Sequence, residues 1–306
     1  MKLSFFNSTF NAAKTFFVFA AFVATTGVVR AQDDSTATGP EPVTRTFRGP
    51  QLINMPTNEI VDGLTFGIQH RFGQVIDKDI AYEFLGMDLT ANMRFSLGYP
   101  IIKERLMVEL GRTKFGKNMD LEVKWLALRQ TTKNEMPISL TIYVDPSLSM
   151  TRFPKVPNYA YFGDSTTVFK YTAASRMAYN SQIIISRKFS KKFSCELAPT
   201  FIYRNLVESS TIDHYTMALQ AGARYKFSRA GSIMVEYGHA FNNRDTATAT
   251  KTVDPLSIGV EFGTVAHVFQ IVMSSSNNLL ARDIYTTNGV AYTKGLFVGF
   301  NLKRFF

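Results

Sequence analysis

Apolar and polar residues alternate along most of the chain after residue 58. The clearest example is the stretch 89–99, "LTANMRFSLGY", in which every second residue from Leu89 to Tyr99 is apolar. Thr, Asn, Arg, Ser and Gly occupy the positions between them. Because successive side chains of a strand point to opposite faces, a period of two predicts β-strands with one apolar and one polar face. The same pattern recurs to the end of the chain and predicts about twelve strands.

The connections between these strands alternate in length. We predict long connections at 73–87, 145–173, 205–213, 242–254 and 277–293. Short connections are predicted at 100–104, 131–136, 188–192, 228–231 and 264–266; the short segment Lys114 to Asn118 breaks the alternation. Long loops on one side and tight turns on the other are typical of transmembrane β-barrels, with both termini on the short-turn side. The predicted fold is all-β: a transmembrane, antiparallel, up-and-down barrel.

A soluble β-sandwich or barrel is the competing interpretation. Soluble sheets also alternate, but they bury the apolar face and solvate the polar one. Here the polar face contains Arg, Glu, Asn and Gly, as a barrel lumen does, and Tyr and Phe occur at strand ends, as in an aromatic girdle. These features favour the membrane barrel. Pro199 lies inside a predicted strand and cannot donate to a β-ladder, so we expect a bulge there.

The sequence predicts that the chain is divided into three segments. Residues 1–31 read as a cleaved signal peptide, with basic Lys2 and Lys14, an apolar run "TFFVFAAFVA" and short side chains before Gln32. A membrane anchor helix is the alternative, but the apolar run is too short and is followed by Thr, Thr and Gly. Residues 32–58 read as a flexible periplasmic lead-in, which could include a short helix or a plug. Residues 59–306 form the predicted barrel.

Composition narrows the class further. Hydrophobic residues make up 45% of the chain, with 27 Phe and 13 Tyr, which excludes a disordered tail and favours strands. Cys195 is the sole cysteine, so no internal disulfide can form. Lys and Arg number 34 against 24 Asp and Glu. The basic residues are spread over strands and loops rather than gathered in one patch, which argues against nucleic acid as a partner.

The polar phase of the strands predicts which charged residues line the lumen. The candidates are Arg94, Glu109, Glu122, Lys124, Glu196, Arg204, Arg224, Lys226, Glu236 and Glu261, with Arg176 and Lys303 in the same phase. Charges inside a barrel need partners or water. Two interpretations stay open: a water-filled pore with a mild preference for anions or polar solutes, and an ion-pair network that fills a narrow barrel and conducts nothing.

We find no catalytic or metal-binding pattern. His70 and His239 fall in the outward phase and His214 in the inward phase, so the three should not converge. The chain contains no P-loop, HExxH or CxxC motif. We therefore expect neither an enzyme nor a cofactor. The aromatic- and proline-rich loop Asp145–Ala173 could constrict the pore, bind a ligand or form an exposed loop.

The chain ends in "KGLFVGFNLKRFF". This ending resembles the carboxy-terminal assembly signal of bacterial outer-membrane proteins: a polar residue, Gly, two free positions, an apolar residue, a free position and another apolar residue. Gly295, Val298 and Phe300 match this pattern, and Phe306 supplies the terminal aromatic. The resemblance implies that the β-barrel assembly machinery recognises this end.

A broader resemblance covers most of the chain. The stretches "GLTFGIQHRFG", "EFLGMD", "APTFIYRN", "AHVFQI" and "GFNLKRFF" resemble a family of outer-membrane β-barrels of unknown function from Bacteroidota-type bacteria. This sequence departs from the pattern of that family at Val265-Ala266, where a pair of glycines is usual. The resemblance implies an outer-membrane location, with lipid and lipopolysaccharide as neighbours, and carries no catalytic residues.

From these observations we expect a monomeric barrel that lets a small polar or anionic solute pass. A non-conducting structural or adhesive barrel is the second interpretation, and an outer-membrane enzyme is the third.

Overall fold

The computed structural model describes residues 41–74, 81–84, 86–152, 166, 168, 172–207, 212–241, 253–287 and 295–306. The predicted signal peptide 1–31 lies outside these residues, as does most of the aromatic part of the loop 145–173.

Twelve β-strands account for most of the described chain. They are β1 (Thr65–Gln74), β2 (Asn92–Ile102), β3 (Leu106–Thr113), β4 (Asn118–Leu128), β5 (Ser139–Ser149), β6 (Met177–Lys188), β7 (Phe193–Arg204), β8 (Tyr215–Lys226), β9 (Gly231–Ala240), β10 (Leu256–Gly263), β11 (His267–Ser274) and β12 (Phe297–Phe305). Within the described residues, helical structure is limited to α1 (Ala281–Ile284) and the 3-10 turns Phe115–Lys117 and Ala174–Arg176. No helix among the described residues is long and apolar enough to cross a membrane.

The strands form one closed antiparallel barrel. Each strand pairs with the next along the chain, and β12 pairs with β1 to close the sheet. The predicted all-β, up-and-down fold is confirmed. Both ends of the barrel sequence meet at the end with the tight turns, which we call the short-turn end. The opposite end carries the longer connections and is called the long-loop end.

The side chains alternate across the barrel wall as predicted. On β2, Arg94 is 2% exposed and faces the lumen, whereas Leu97 is 52% exposed and faces outward. The exposed outer band is rich in Phe, Tyr, Leu and Ile. A polar interior and an apolar exterior invert the usual arrangement of a soluble protein and suit a lipid environment.

Two strand-level predictions are wrong. Pro199 causes no bulge, because it pairs with Leu219 in the β7–β8 ladder and the β6–β7 ladder keeps the same register on either side of it. The proline has no N–H to donate, yet its carbonyl and its neighbours keep the ladder in register. The predicted loop from Asp145 also starts too early. β5 continues to Ser149 with Asp145 and Ser147 facing inward, despite Pro146.

Residues 41–58 are not a flexible lead-in. Leu52, Ile53 and Thr57 are at most 1% exposed, and side chains of the inner barrel wall bind the backbone of Leu52 and Ile53. The barrel wall itself begins at Thr65 rather than at residue 59. We call residues 46–59 the plug.

The barrel closes where the two ends of its sequence meet. The Phe306 backbone N–H donates to the Leu64 carbonyl at 3.0 Å, which extends the β1–β12 ladder by one bond. Gly63, just before β1, has φ +87°, and a Cβ atom there would overlap the Phe306 carbonyl oxygen. A side chain at residue 63 is therefore excluded by both conformation and space.

We predict that Gly63→Val destabilises the barrel by at least about 1–2 kcal/mol, the cost of a left-handed conformation for a residue with a Cβ atom. Denaturant unfolding of the refolded protein measures this loss. Gly49→Ala is the matched control, since a Cβ atom there lies 3.4 Å from the Phe305 ring. Equal stability of the two variants would contradict the role of Gly63 in closure.

Candidate functional site in the barrel lumen

The plug enters and leaves the lumen at the short-turn end. The Val43 N–H donates to the Gln130 carbonyl at 2.8 Å, beside the β4–β5 turn. Inside the barrel the chain reverses, with hydrogen bonds from the Leu52 N–H to the Met55 carbonyl at 2.9 Å and from the Thr57 N–H to the Pro50 carbonyl at 3.0 Å. The plug is thus a hairpin-like insertion whose base is at one end of the barrel.

Glu236 on β9 holds the tip of the plug. Its Oε1 accepts hydrogen bonds from the backbone N–H groups of Ile53, Asn54 and Met55 at 2.6, 2.9 and 2.9 Å. Three convergent amides satisfy a carboxylate that is 5% exposed, and charge-assisted bonds of this kind are stronger than neutral ones. A single side chain thus compensates the buried amides of a tight turn.

Other inward side chains bind the plug backbone from around the barrel. Lys124 Nζ donates to the Pro50 carbonyl at 2.6 Å. Gln270 Nε2 donates to the Leu52 carbonyl at 2.6 Å, and Asn301 Nδ2 donates to the Ile53 carbonyl at 2.9 Å. The hairpin makes few backbone hydrogen bonds of its own, so these side chains add partners for its buried carbonyls.

Further hydrogen bonds that involve side chains hold the tip and the base of the plug. Arg71 Nη2 donates to Asn54 Oδ1 at 2.9 Å, and Asn54 Nδ2 donates to Ser257 Oγ at 3.1 Å. At the base, Glu59 Oε1 accepts from the Thr46 and Phe47 N–H groups at 2.6 and 3.1 Å. Burial raises the pKa of the Glu59 carboxyl, and these two hydrogen bonds act in the opposite direction.

The plug also brings apolar side chains into the lumen, where they form two clusters with apolar residues of the wall. One contains Phe47, Leu52, Ile53, Met234 and Val272. The other contains Met55, Tyr143, Ile184 and Ala198. Apolar side chains on the inner face would meet water in an open pore, so this part of the wall is matched to the plug.

Ion pairs fill much of the remaining interior. Arg94 binds Asp120, binds Glu122 at 2.6 Å and lies 3.5 Å from Glu109, which also binds Lys303 at 2.7 Å. A second group joins Glu261 to Arg224 at 2.8 Å and to the plug residue Arg48 at 3.4 Å. Buried charges remain ionised only when they are paired in this way.

All ten predicted lumen residues belong to the inward phase, but their roles differ. Arg94, Glu109, Glu122, Arg224 and Glu261 form ion pairs, and Lys124 and Glu236 bind the plug. Glu196 is buried at 3% exposure, Lys226 is half-buried and Arg204 lies at the long-loop end.

The list of lumen candidates omitted the inward charges Arg71, Asp120 and Asp145. Asp120 lies two residues before Glu122 in the same phase of β4, so extending that phase finds it, whereas β1 and β5 contain no residue of the predicted set. The plug contacts had no such signal, since residues 46–59 show no periodicity.

The β11–β12 connection folds over the lumen at the long-loop end. The Asn277 carbonyl accepts from Asn92 Nδ2 at 2.9 Å. Asp283 Oδ2, on α1, accepts from Asn118 Nδ2 at 3.2 Å. Ile284 and Tyr285 pack in a cluster with Ile202 and Ala218 of the inner wall. Elements of the chain thus enter the lumen from both ends.

His70 and His239 lie in the outward phase of β1 and β9, whereas His214 is exposed just before β8 begins. His70 stacks on the outward-facing Phe300 with ring centroids 5.3 Å apart, whereas His239 contacts Asp254 at 3.0 Å. Within the described part of the chain, no group of three His, Cys, Asp or Glu could hold a metal ion. At the chain end, the Arg304 guanidinium lies over the Phe306 ring at 4.7 Å.

The fold and the sequence together define a membrane-bound β-barrel. Residues 47–306 match the family described as "Membrane bound beta barrel domain (DUF5777)", so the chain belongs to that family. The match begins within the plug and continues to the last residue. The origin in Bacteroidota-type bacteria and the assembly signal stay predictions. No curated protein has a significantly similar sequence.

Solved barrels resemble the chain only distantly. The NanC porin is 8% identical, with a TM-score of 0.49 over 79% of this chain and 99% of that one. An outer membrane channel from Pseudomonas putida F1 is 13% identical, with a TM-score of 0.47 over 81% and 97%. An outer membrane phospholipase A from Escherichia coli is 10% identical, with a TM-score of 0.42 over 89% and 94%. These likenesses are too weak to indicate a function.

We predict that Glu236→Gln loosens the tip of the plug, because an amide cannot accept three hydrogen bonds with the strength of a carboxylate. Each lost charge-assisted bond is worth about 1.5–3 kcal/mol, so amide hydrogen exchange at residues 53–55 should accelerate at least about tenfold. Glu104→Gln is the control, since Glu104 pairs with Arg129 at 2.8 Å on the exposed surface. Unchanged exchange in Glu236→Gln would contradict the anchoring role.

Proposed function

We propose that this protein is an outer-membrane channel for a small polar solute, closed by its own plug and opened when the plug withdraws. The observation that supports this most is the path of the plug. Its hydrogen bonds reach β1, β4, β9, β10, β11 and β12, and its Met55 shares an apolar cluster with residues of β5, β6 and β7. A segment placed in this way blocks the lumen at the depth where the strands cross the membrane.

The geometry of the plug suits withdrawal. Both of its ends lie at the short-turn end, so it can leave the lumen as a loop without threading the chain through the barrel. Its tip is held mainly by hydrogen bonds to polar side chains, and water can replace each of these bonds after release. The inner wall around the tip presents Arg71, Lys124, Gln270 and Asn301, which would line a polar passage.

The outer-membrane location is part of the same proposal. It is supported by the signal-like residues 1–31, by the terminal pattern Gly295, Val298, Phe300 and Phe306, and by the apolar outer band of the barrel. We propose that the assembly machinery inserts the protein as a monomer among phospholipid and lipopolysaccharide. The proposal includes no catalytic step, no cofactor and no nucleic-acid partner.

A permanently closed structural or adhesive barrel is the second candidate. It is favoured by the apolar residues Tyr143, Ile184, Met234 and Val272 on the inner wall. Withdrawal of the plug would expose them to water at about 25 cal/mol for each Å² of apolar surface. A channel that opens by withdrawal of the plug needs another interaction to offset this cost. A permanently closed barrel needs none, because its plug stays in place.

We predict that removal of the plug creates a conducting barrel. Thr46 N and Glu59 Oε1 lie 2.6 Å apart, so residues 47–58 can be replaced by a short Gly-Ser linker without stretching the wall. In planar bilayers, the wild-type protein should rarely conduct and the linker variant should show stable ionic steps. Deletion of residues 32–40, which leaves the plug intact, is the control. A linker variant that folds, as judged by heat-modifiable gel mobility, but stays silent would favour the closed scaffold.

We predict that deletion of Phe305 and Phe306 lowers insertion into the outer membrane, because it removes both the aromatic end of the chain and the N–H bond from Phe306 to Leu64. Phe306→Tyr retains both and should insert normally. Membrane fractionation of the two variants measures the difference. Normal insertion of the deletion variant would contradict the proposed role of the chain end as an assembly signal.

A further inference from the structure

Four arginines converge on a cavity at the long-loop end of the barrel. The cavity has a volume of about 210 Å³, and its described lining includes Arg152, Arg176, Arg204 and Arg282 together with the hydroxyl residues Ser149, Thr151 and Ser175. Arg152 follows β5, Arg176 precedes β6, Arg204 ends β7 and Arg282 belongs to α1. Residues far apart in sequence are thus brought together only by the closed barrel and the inward fold of the β11–β12 connection.

The charge of this cavity is only partly compensated. Among the described residues that line it, none is acidic. Arg282 donates from Nε to Asp283 Oδ1 and from Nη1 to Ser147 Oγ, both at 3.1 Å. Its Nη2 binds no described residue, and Arg152 makes no hydrogen bond or ion pair with the described part of the chain. Arg176 and Arg204 have interactions of their own, so the free donors belong to Arg152 and Arg282.

We propose that this cavity binds the phosphate group of a ligand that reaches the long-loop end. Several guanidinium groups at one place repel each other, and an oxyanion between them relieves that repulsion. Guanidinium forks match phosphate oxygens with paired, charge-assisted hydrogen bonds. A doubly charged tetrahedral phosphate can accept bonds from several directions at once, which suits the free donors of Arg152 and Arg282; a planar, singly charged carboxylate offers fewer acceptor positions.

The size and position of the cavity limit what enters. Typical pockets for whole small molecules have volumes of about 300–1,000 Å³, so this cavity fits an ionic group and leaves the rest of the ligand outside. Deeper in the lumen, Arg94 is already paired with Asp120 and Glu122, so its guanidinium does not draw an anion inward. The cavity therefore holds a phosphate at the mouth. This site does not depend on whether the barrel conducts.

Calorimetric titration of inorganic pyrophosphate into the refolded full-length protein, in a zwitterionic detergent at low salt, tests the proposal. The wild-type protein should bind, and Arg152→Gln and Arg282→Gln should each weaken binding about tenfold or more. Arg112→Gln is the matched control: Arg112 also lies near the long-loop end but is outside the cavity, and its Nη1 donates to the Lys117 carbonyl. Its affinity should be unchanged.

Two results would overturn the proposal: absence of wild-type binding at millimolar pyrophosphate, or an equal loss in all three variants, which would indicate general attraction to a basic surface. Circular dichroism and gel mobility establish that each variant is folded. Because the titration measures equilibrium binding, a barrel that never conducts leaves this test intact.

The source of the phosphate is distinguished by adding vesicles. Phosphatidylcholine vesicles with and without lipopolysaccharide are compared as competitors of pyrophosphate. Competition only by lipopolysaccharide, lost in the Arg152→Gln/Arg282→Gln double variant, assigns the site to a lipid headgroup. Pyrophosphate binding without such competition assigns it to a soluble phosphorylated compound. Either result supports the phosphate site.

Discussion

The requirement that every backbone hydrogen bond be made inside the protein governs this structure. Lipid offers no partner to an open strand edge, so a membrane sheet has to close on itself. Here closure joins β1 to β12, and the last bond comes from the terminal residue, Phe306, to Leu64. The positive φ of Gly63 lets the chain turn from the plug into the wall beside this bond. Closure then creates the enclosed polar interior on which every other feature depends.

A polar interior poses a second problem, because charges and amides inside it need partners or water. Twelve strands enclose a space that side chains of the wall alone do not fill. The protein fills part of it with ion pairs around Arg94 and Glu261 and part with its own preceding segment. The two ways of filling the interior combine at Glu236, whose inward-facing carboxylate accepts hydrogen bonds from the backbone turn of the plug.

The two ends of the lumen are built differently. At the short-turn end, the base of the plug is tied to turns of the barrel, as in the bond from Val43 to Gln130. At the long-loop end, α1 covers one side and arginines from three other elements face it. The basic cavity and the base of the plug therefore lie at opposite ends of the lumen. That arrangement is a property of the assembled barrel.

The sequence by itself determined the strands, their inward and outward phases and the side on which the loops are long. An alternation with a period of two indicates, for each residue, which face of the strand its side chain occupies. Glu122 and Arg224 could therefore be assigned to the lumen. It failed for Pro199, where the register of neighbouring ladders outweighed a missing donor, and at Asp145, where Pro146 suggested the end of a strand. Only the tertiary structure decided that residues 46–59 occupy the lumen. Their partners lie up to 248 residues away, and no local pattern encodes a contact across a closed barrel.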